Sequence, residues 1–345
     1  MALNDTVYQF YRFLMSFIKR IIILLVLIAL GSAGGLAYWG TQALPAPSNA
    51  EQTQDFTIKP GSGLRSASRQ IRDAGVPLNP YLFELLVRIN GKAAQLKAGS
   101  FEFAAGDTPT DLLRKISNGE FSHGSLTVIE GWTFKQMRAA VDASTTIKHD
   151  TAGWSEQQIM QKVDSEFAAA EGLFFPDTYV FAKGSSDLEI YQLAHQALRK
   201  RLEQAWQERA GDLPYKSPYD ALIMASIIEK ETGQAAERDM IAAVFVNRLR
   251  AGMLLQTDPT VIYGMGDQYK GKIRKVDLQT DTPYNTYTRA GLPPTPIALP
   301  GAASLLAAFN PAKSNVVYFV AKGDGTSHFS TSLDEHNRAV NRFQR

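Results

Sequence analysis

Ile21 to Gly40 (IIILLVLIALGSAGGLAYWG) is a run of 20 residues without a charge. As a helix it is roughly 30 Å long, the thickness of a bilayer's hydrocarbon core. Arg12, Lys19 and Arg20 precede it, and the next charge afterwards is Glu51. Basic residues stay on the cytoplasmic side, so residues 1–20 are expected inside and the chain after about residue 41 outside. Tyr38 and Trp39 stand where an interfacial aromatic belt belongs. A cleaved signal peptide is the competing reading, but its apolar core usually runs about 7–15 residues, shorter than this one. Residues 41–54, with Pro45 and Pro47 and no apolar periodicity, read as a tether.

Residues 55–345 are enough for one large or two smaller globular units. With 45% apolar and 20% charged residues, wholesale disorder is excluded. The net charge of +2 lacks the basic excess of a nucleic-acid binder. The chain has no cysteine, which excludes disulfides, thiolate metal sites and a cysteine nucleophile. No His and acid spacing suggests a metal, and no cofactor is expected.

Three stretches align without gaps: Phe56-Thr-Ile-Lys-Pro-Gly61, Phe101-Glu-Phe-Ala-Ala-Gly106 and Leu126-Thr-Val-Ile-Glu-Gly131. Apolar residues at positions one and three give a strand alternation, and glycine closes each stretch. Ten residues after each glycine stands an aliphatic residue, Ile71, Ile116 or Val141. Thr108-Pro109 and the Thr133 to Gln136 capping box mark helix starts between them. Each unit therefore reads as strand, tight turn, helix. Asn79-Pro80 opens a further helix, so residues 55–122 form a small β-α-α-β module. Its F-x-I-x-x-G-x-x-L opening resembles the LysM carbohydrate-binding module, which grips N-acetylglucosamine polymers. A structural adaptor without a ligand is the other reading.

From residue 123 to 345 the pattern is mostly helical. Capping boxes at Ser155 and Ser186 open helices, the second running to about Arg209. Ser217-Pro218 caps a helix over 218–232, with Gly233 as its left-handed terminator. Another helix is expected over 236–251. Val316–Ala321 and His328–Ser330 flank Gly323-Asp324-Gly325, a hairpin signal. The expected fold class is thus α+β: one N-terminal transmembrane helix (21–40), a LysM-like module (55–122), and a larger mostly helical domain (123–345) ending in a β-hairpin.

The helix over 218–232 has almost no polar face, so it is expected to be buried. Yet Glu229 and Glu231 sit in its last turn. Glu231 extends the stripe of Met224, Ile227 and Ile228; Glu229 extends Leu222, Ala225 and Ser226. Burial and the negative end of the helix dipole both raise a carboxyl pKa. A neutral carboxylic acid is what glycosidic cleavage needs as general acid. The alternative is that both acids pair with basic residues at the domain rim.

Residues 219–267 closely resemble the endolytic murein transglycosylase family, the YceG-like proteins. EGLFFPDTYVF (171–181), TPYNTYTRAGLPPTPIALPG (282–301) and SHFSTSLDEHN (327–337) agree. The resemblance implies lytic cleavage of the β-1,4 bond between N-acetylmuramic acid and N-acetylglucosamine inside nascent strands, leaving 1,6-anhydro ends and terminating strand elongation. It places the catalytic acid/base at Glu231, the second acid of E-K-E-T, with Glu229 as its rival. It also implies an inner-membrane, single-pass protein with its catalytic domain in the periplasm and peptidoglycan synthases as partners. Candidate substrate-binding residues are Glu229, Arg248, Gln256, Asp258, Tyr263, Asn285 and Tyr287. Arg248 and Asn247 could instead hold the two acids in place. A non-catalytic glycan-binding scaffold for cell-wall synthases is the competing function.

Overall fold

The computed structural model describes residues 2–47 and 53–344, the side chains of residues 2–7 and 9 excepted. Residues 48–52 of the expected tether lie outside the described residues. The chain divides into two compact units. The first is Met1–His123 with Ala182–Gly184, and the second is Gly124–Phe181 with Ser185–Arg345.

The first unit opens with α1 (Ala2–Gly40), whose residues 10–40 are long and apolar enough to cross a membrane. After it come β1 (Thr53–Ile58), α2 (Leu64–Asp73), α3 (Pro80–Ile89), β2 (Gly99–Ala104) and α4 (Pro109–Asn118). β1 and β2 pair antiparallel, with Phe56 opposite Phe101 and their rings 5.6 Å apart. One face of this pair carries Phe56, Ile58, Phe101 and Phe103 into a core with Ile71, Phe83, Val87, Leu112 and Ile116. Asn79 Oδ1 accepts from the Tyr81 and Leu82 amides to start α3, and a Thr108–Asp111 capping box starts α4. Within the segment read as a tether, Leu44 is buried in this core and its amide donates to Asp107 O at 2.9 Å.

The second unit contains β3 (His123–Thr127, its first residue counted with the first unit), α5 (Phe134–Ala143), α6 (Glu156–Val163), β4 (Thr178–Ala182, its last residue counted with the first unit) and α7 (Asp187–Gln207). Then come α8 (Pro218–Glu231), α9 (Arg238–Arg250), α10 (Asp258–Met265), α11 (Lys275–Gln279) and α12 (Ala302–Phe309). β5 (Tyr318–Ala321), β6 (Ser327–Ser330) and α13 (Leu333–Phe343) end the chain. β3 pairs with β4, and β5 pairs antiparallel with β6. The all-apolar α8 is buried from Ala221 to Ile228 and packs against α7, α9, α10 and α12.

The three aligned glycines all take left-handed backbone, with φ of 77° at Gly61, 91° at Gly106 and 76° at Gly131. A side chain is disfavoured there, which explains the fixed glycine between strand and helix. Ile71, Ile116 and Val141, one in each following helix, are fully buried. Three helix ends differ from the sequence expectation. Ser186 caps α7 by accepting from the Leu188 amide at 3.3 Å, without the reciprocal box to Glu189. Thr232 caps α8 with φ −79°, its Oγ1 donating to Ile228 O at 2.7 Å, and Gly233 is not left-handed. Ile228 O thus accepts from both the amide (3.0 Å) and the hydroxyl of Thr232, and the helix ends there without a left-handed residue. α9 starts at Arg238 because a 3₁₀ turn, Ala235–Glu237, occupies the preceding residues.

Candidate active site

The end of α8 sends its two acids to different places. Glu229 Oε2 accepts from the Gly301 amide (3.0 Å) and from Ser304 Oγ (2.6 Å), at the start of α12. Glu231 Oε2 accepts from Thr257 Oγ1 at 3.0 Å, just before α10. Glu229 is therefore anchored to a helix start, whereas Glu231 keeps one oxygen without a protein hydrogen bond among the described residues. Neither acid has an ion-pair partner among them, so rim pairing with basic residues is not what the fold builds.

Burial pushes the Glu231 carboxyl above the usual range, and the charge of Asp258 pushes it the same way. The Thr257 hydrogen bond and the more distant Arg248 guanidinium pull it back, but burial is the larger effect.

Asp258 is exposed at the first position of α10, and its Oδ1 accepts from Tyr287 Oη at 2.6 Å. Burial and the charges of Asp258 and Glu231 hold the Tyr287 phenol strongly in its neutral form. Arg248, on α9, is buried and does not grip either acid. Its Nε donates to Val317 O (2.7 Å), its Nη1 to Leu255 O (2.7 Å), and its guanidinium lies 5.2 Å from the Tyr318 ring centre. Tyr318 in turn stacks on His336, ring centres 5.0 Å apart. Asn247 donates to Ser314 O and Val316 O, so these two α9 residues fix the segment leading into β5.

Gln256 is exposed and takes left-handed backbone with φ 52°, unusual for a residue with a β-carbon. Strain of this sort persists where the surroundings over-determine it. Here the Gln256 and Thr257 amides are both held by Thr286, through its carbonyl (3.1 Å) and its hydroxyl (3.1 Å). That clamp aims Thr257 at Glu231. The structure thus brings Glu231, Gln256, Asp258, Tyr287 and Arg248 into one neighbourhood.

Three of the sequence candidates go elsewhere. Glu229 anchors α12. Asn285 is fully buried, its Nδ2 donating to Thr280 O (2.7 Å) and Leu278 O (3.1 Å) while its Oδ1 accepts from the Tyr287 amide (2.9 Å). It shapes the loop that carries Tyr287. Tyr263 belongs to a second cluster, where its hydroxyl donates to Glu171 Oε2 at 3.1 Å and its ring meets Tyr284 edge-on at 4.9 Å.

Sequence reasoning misses Glu171, although it opens the EGLFFPDTYVF block. It is 6% exposed, accepts from the Phe134 amide at 3.0 Å, and burial raises its pKa to about 7. It lines a cavity of about 970 Å³ with Phe134, Lys230, Pro259, Tyr263 and Tyr284. The available signal was an acid one glycine ahead of the apolar run Leu173, Phe174 and Phe175. Gly172, the next residue, has φ 78°, and a β-carbon there would lie 2.3 Å from Pro296 Cβ. Just after the proline-rich stretch 292–296, the Ile297 amide donates to Ser226 Oγ on α8 at 3.0 Å.

Relatives share this chain over most of its length. It is 31% identical over 336 residues to a Bacillus subtilis protein named endolytic murein transglycosylase, covering 90% of each chain. A Streptococcus pneumoniae protein of the same name is 25% identical over 365 residues, 94% of this chain and 65% of the relative. The crystal structure of a yceG-like protein from Listeria monocytogenes superposes with a TM-score of 0.50 at 32% identity, over 84% of this chain and 99% of that one. Residues 56–342 match the YceG-like family, and the chain belongs to it.

Proposed function

We propose that this protein is an endolytic lytic transglycosylase that cuts the N-acetylmuramic acid–β-1,4–N-acetylglucosamine bond within peptidoglycan strands. Glu231 is its single acid/base. The observation that carries this reading is the isolation of Glu231: a carboxyl held above its usual pKa by burial, fixed on one oxygen by Thr257 and without an ion pair among the described residues.

The neutral Glu231 gives its proton to the glycosidic oxygen as the C1–O bond of the muramoyl sugar breaks. The resulting carboxylate then takes the proton of the muramoyl 6-hydroxyl as that oxygen bonds to C1. The acid is restored, no water is consumed, and the new end is a 1,6-anhydro sugar. Hydrolysis with retention needs a second carboxylate about 5 Å away as nucleophile. Asp258 is the neighbouring acid, and Tyr287 occupies one of its oxygens. Gln256 and Asp258, both exposed beside Glu231, are the residues proposed to contact the glycan, with Arg248 adding positive charge nearby and the neutral Tyr287 holding Asp258 in place. A glycan-binding scaffold without catalysis has no use for a carboxyl tuned in this way.

The same proposal assigns residues 1–20 to the cytoplasm, 21–40 to the inner membrane and 123–345 to the periplasm, with a LysM-like module over 55–122. It is supported by the apolar α1 and the basic residues that precede its charge-free stretch. Synthases that elongate glycan strands are the partners such an enzyme would act beside.

The test is mass spectrometry of muropeptides released when the full-length protein in detergent acts on intact sacculi. Ends one water lighter than hydrolysed ones, and resistant to borohydride, are expected. A majority of reducing ends would overturn the lyase assignment.

A further inference from the structure

α3 presents an apolar stripe to the outside. Tyr81 (73% exposed), Leu82 (37%), Leu85 (46%) and Ile89 (62%) lie within an arc of about 100° on this helix. Single exposed apolar residues are ordinary, but four contiguous ones on one helix face mark an interaction surface. The opposite face, with Phe83, Leu86 and Val87, is buried in the core of the first unit.

The position of this stripe indicates what covers it. In the last turn of α1, Leu36, Trp39 and Gly40 are covered while Ala37 and Tyr38 remain exposed, an i, i+3, i+4 pattern typical of one packed helix face. That face meets α3 and α4. Thr110 Oγ1 donates to Gly40 O at 2.8 Å, and a β-carbon on Gly40 would stand 3.3 Å from Leu86 Cδ1. Leu86 borders the exposed stripe on α3. Leu36 lies four residues back into the apolar run, a depth of about 6 Å along the helix. The globular part of the first unit therefore begins inside the apolar length of α1, not beyond it.

We propose that α3 rests in the headgroup layer of the outer leaflet, with Tyr81, Leu82, Leu85 and Ile89 binding the phospholipid surface. This rests on the reading that α1 crosses the membrane. Amphipathic helices at an interface bury their apolar face by about 5–10 Å, which matches the overlap of the unit with the last turn of α1. Arg88, exposed at the edge of the stripe, is placed to meet lipid phosphate. Helix and anchor together then hold the first unit against the bilayer by two contacts instead of one.

The chain has no cysteine, so one introduced thiol gives one label. Full-length protein in bilayer discs of phosphatidylcholine and phosphatidylglycerol would carry a fluorophore at Leu85→Cys or Ile89→Cys, with Leu27→Cys as the reference within α1. Quenching by a shallow lipid-borne nitroxide, with loss of quenching by aqueous iodide, is expected at both α3 positions. The label at Leu27→Cys should be quenched by a deep nitroxide. A deep signal at residue 27 with iodide-accessible labels at 85 and 89 would overturn the proposal while leaving the span intact. Labels shielded from both quenchers would mean that protein, such as a second copy, covers the stripe, and would also overturn it. No lipid signal at residue 27 would refute the span itself and the proposal with it. Lipid attraction is separated from mere proximity by Leu85→Glu, an exposed position, combined with Ile89→Cys. Circular dichroism should be unchanged and nitroxide quenching at residue 89 should be lost; retained quenching would show that packing against α1 alone holds α3 there.

Discussion

Thr257 Oγ1 and Glu231 Oε2 are 3.0 Å apart across 26 residues of chain, and this is the hydrogen bond that fixes the proposed acid/base. It favours the charged form, while the nearby Asp258 favours the neutral form. Removing each should therefore move the same titration in opposite directions. Thr257→Val should raise the Glu231 pKa and shift the alkaline limb of the kcat/KM profile upward. Asp258→Asn should lower it and shift the limb downward. Parallel shifts in the two variants would show that the limb belongs to another group.

The two acids of α8 should separate in their effects. Glu231→Gln keeps the shape of the side chain but cannot cycle a proton, so activity should fall by at least about a hundredfold with the melting temperature nearly unchanged. Glu229→Gln weakens the contacts to Gly301 N and Ser304 Oγ, and should cost about 1–3 kcal/mol of stability while the folded enzyme still cuts. Urea unfolding and sacculus digestion of both variants decide the matter.

Glu171 should make stability depend on pH. Its carboxyl ionises near 4.5 when unfolded and near 7 when folded. Below the lower value both states carry the proton and the stabilisation is fully present. Between the two values only the unfolded state releases it, so stability falls as pH rises and the contribution is gone above about pH 7. The span is on the order of 3 kcal/mol. Urea midpoints measured from pH 4 to 8 should show a slope in the natural protein that Glu171→Gln reduces, the raised Glu231 carboxyl accounting for part of what is left; equal slopes would refute it.

Asn285 should behave as a structural residue. Asn285→Ala deletes the hydrogen bonds to Leu278 O and Thr280 O and the one from the Tyr287 amide, for a loss of about 1–3 kcal/mol. Thermal unfolding would show it. Unchanged stability with weakened glycan binding would return Asn285 to the substrate.

The elements were legible where a local rule dictates them. The three glycines at fixed phase marked tight turns, and an all-apolar helix was expected to be a buried one. The fates of Glu229 and Glu231 were not legible, because they are decided by Gly301, Ser304 and Thr257, which only folding brings near. Asn285 and Tyr263 have side chains suited to sugars, yet one is enclosed by its own loop and the other is turned toward Glu171. Residue type does not reveal direction. Glu171 itself looked like a lone acid before an apolar run, since its burial comes from the start of α5 and from Tyr263 on α10.

The stitching of the last turn of α8 has a further consequence. Helix ends normally fray, and a reactive group placed on one wanders with it. Here Glu229 is tied to α12, and Lys230 Nζ reaches Gly131 O at 3.2 Å. The carboxyl next in line inherits that stillness. The orientational entropy that an acid must surrender before it can meet a glycosidic oxygen was given up when the chain folded, and none of it has to be drawn from the binding of the glycan.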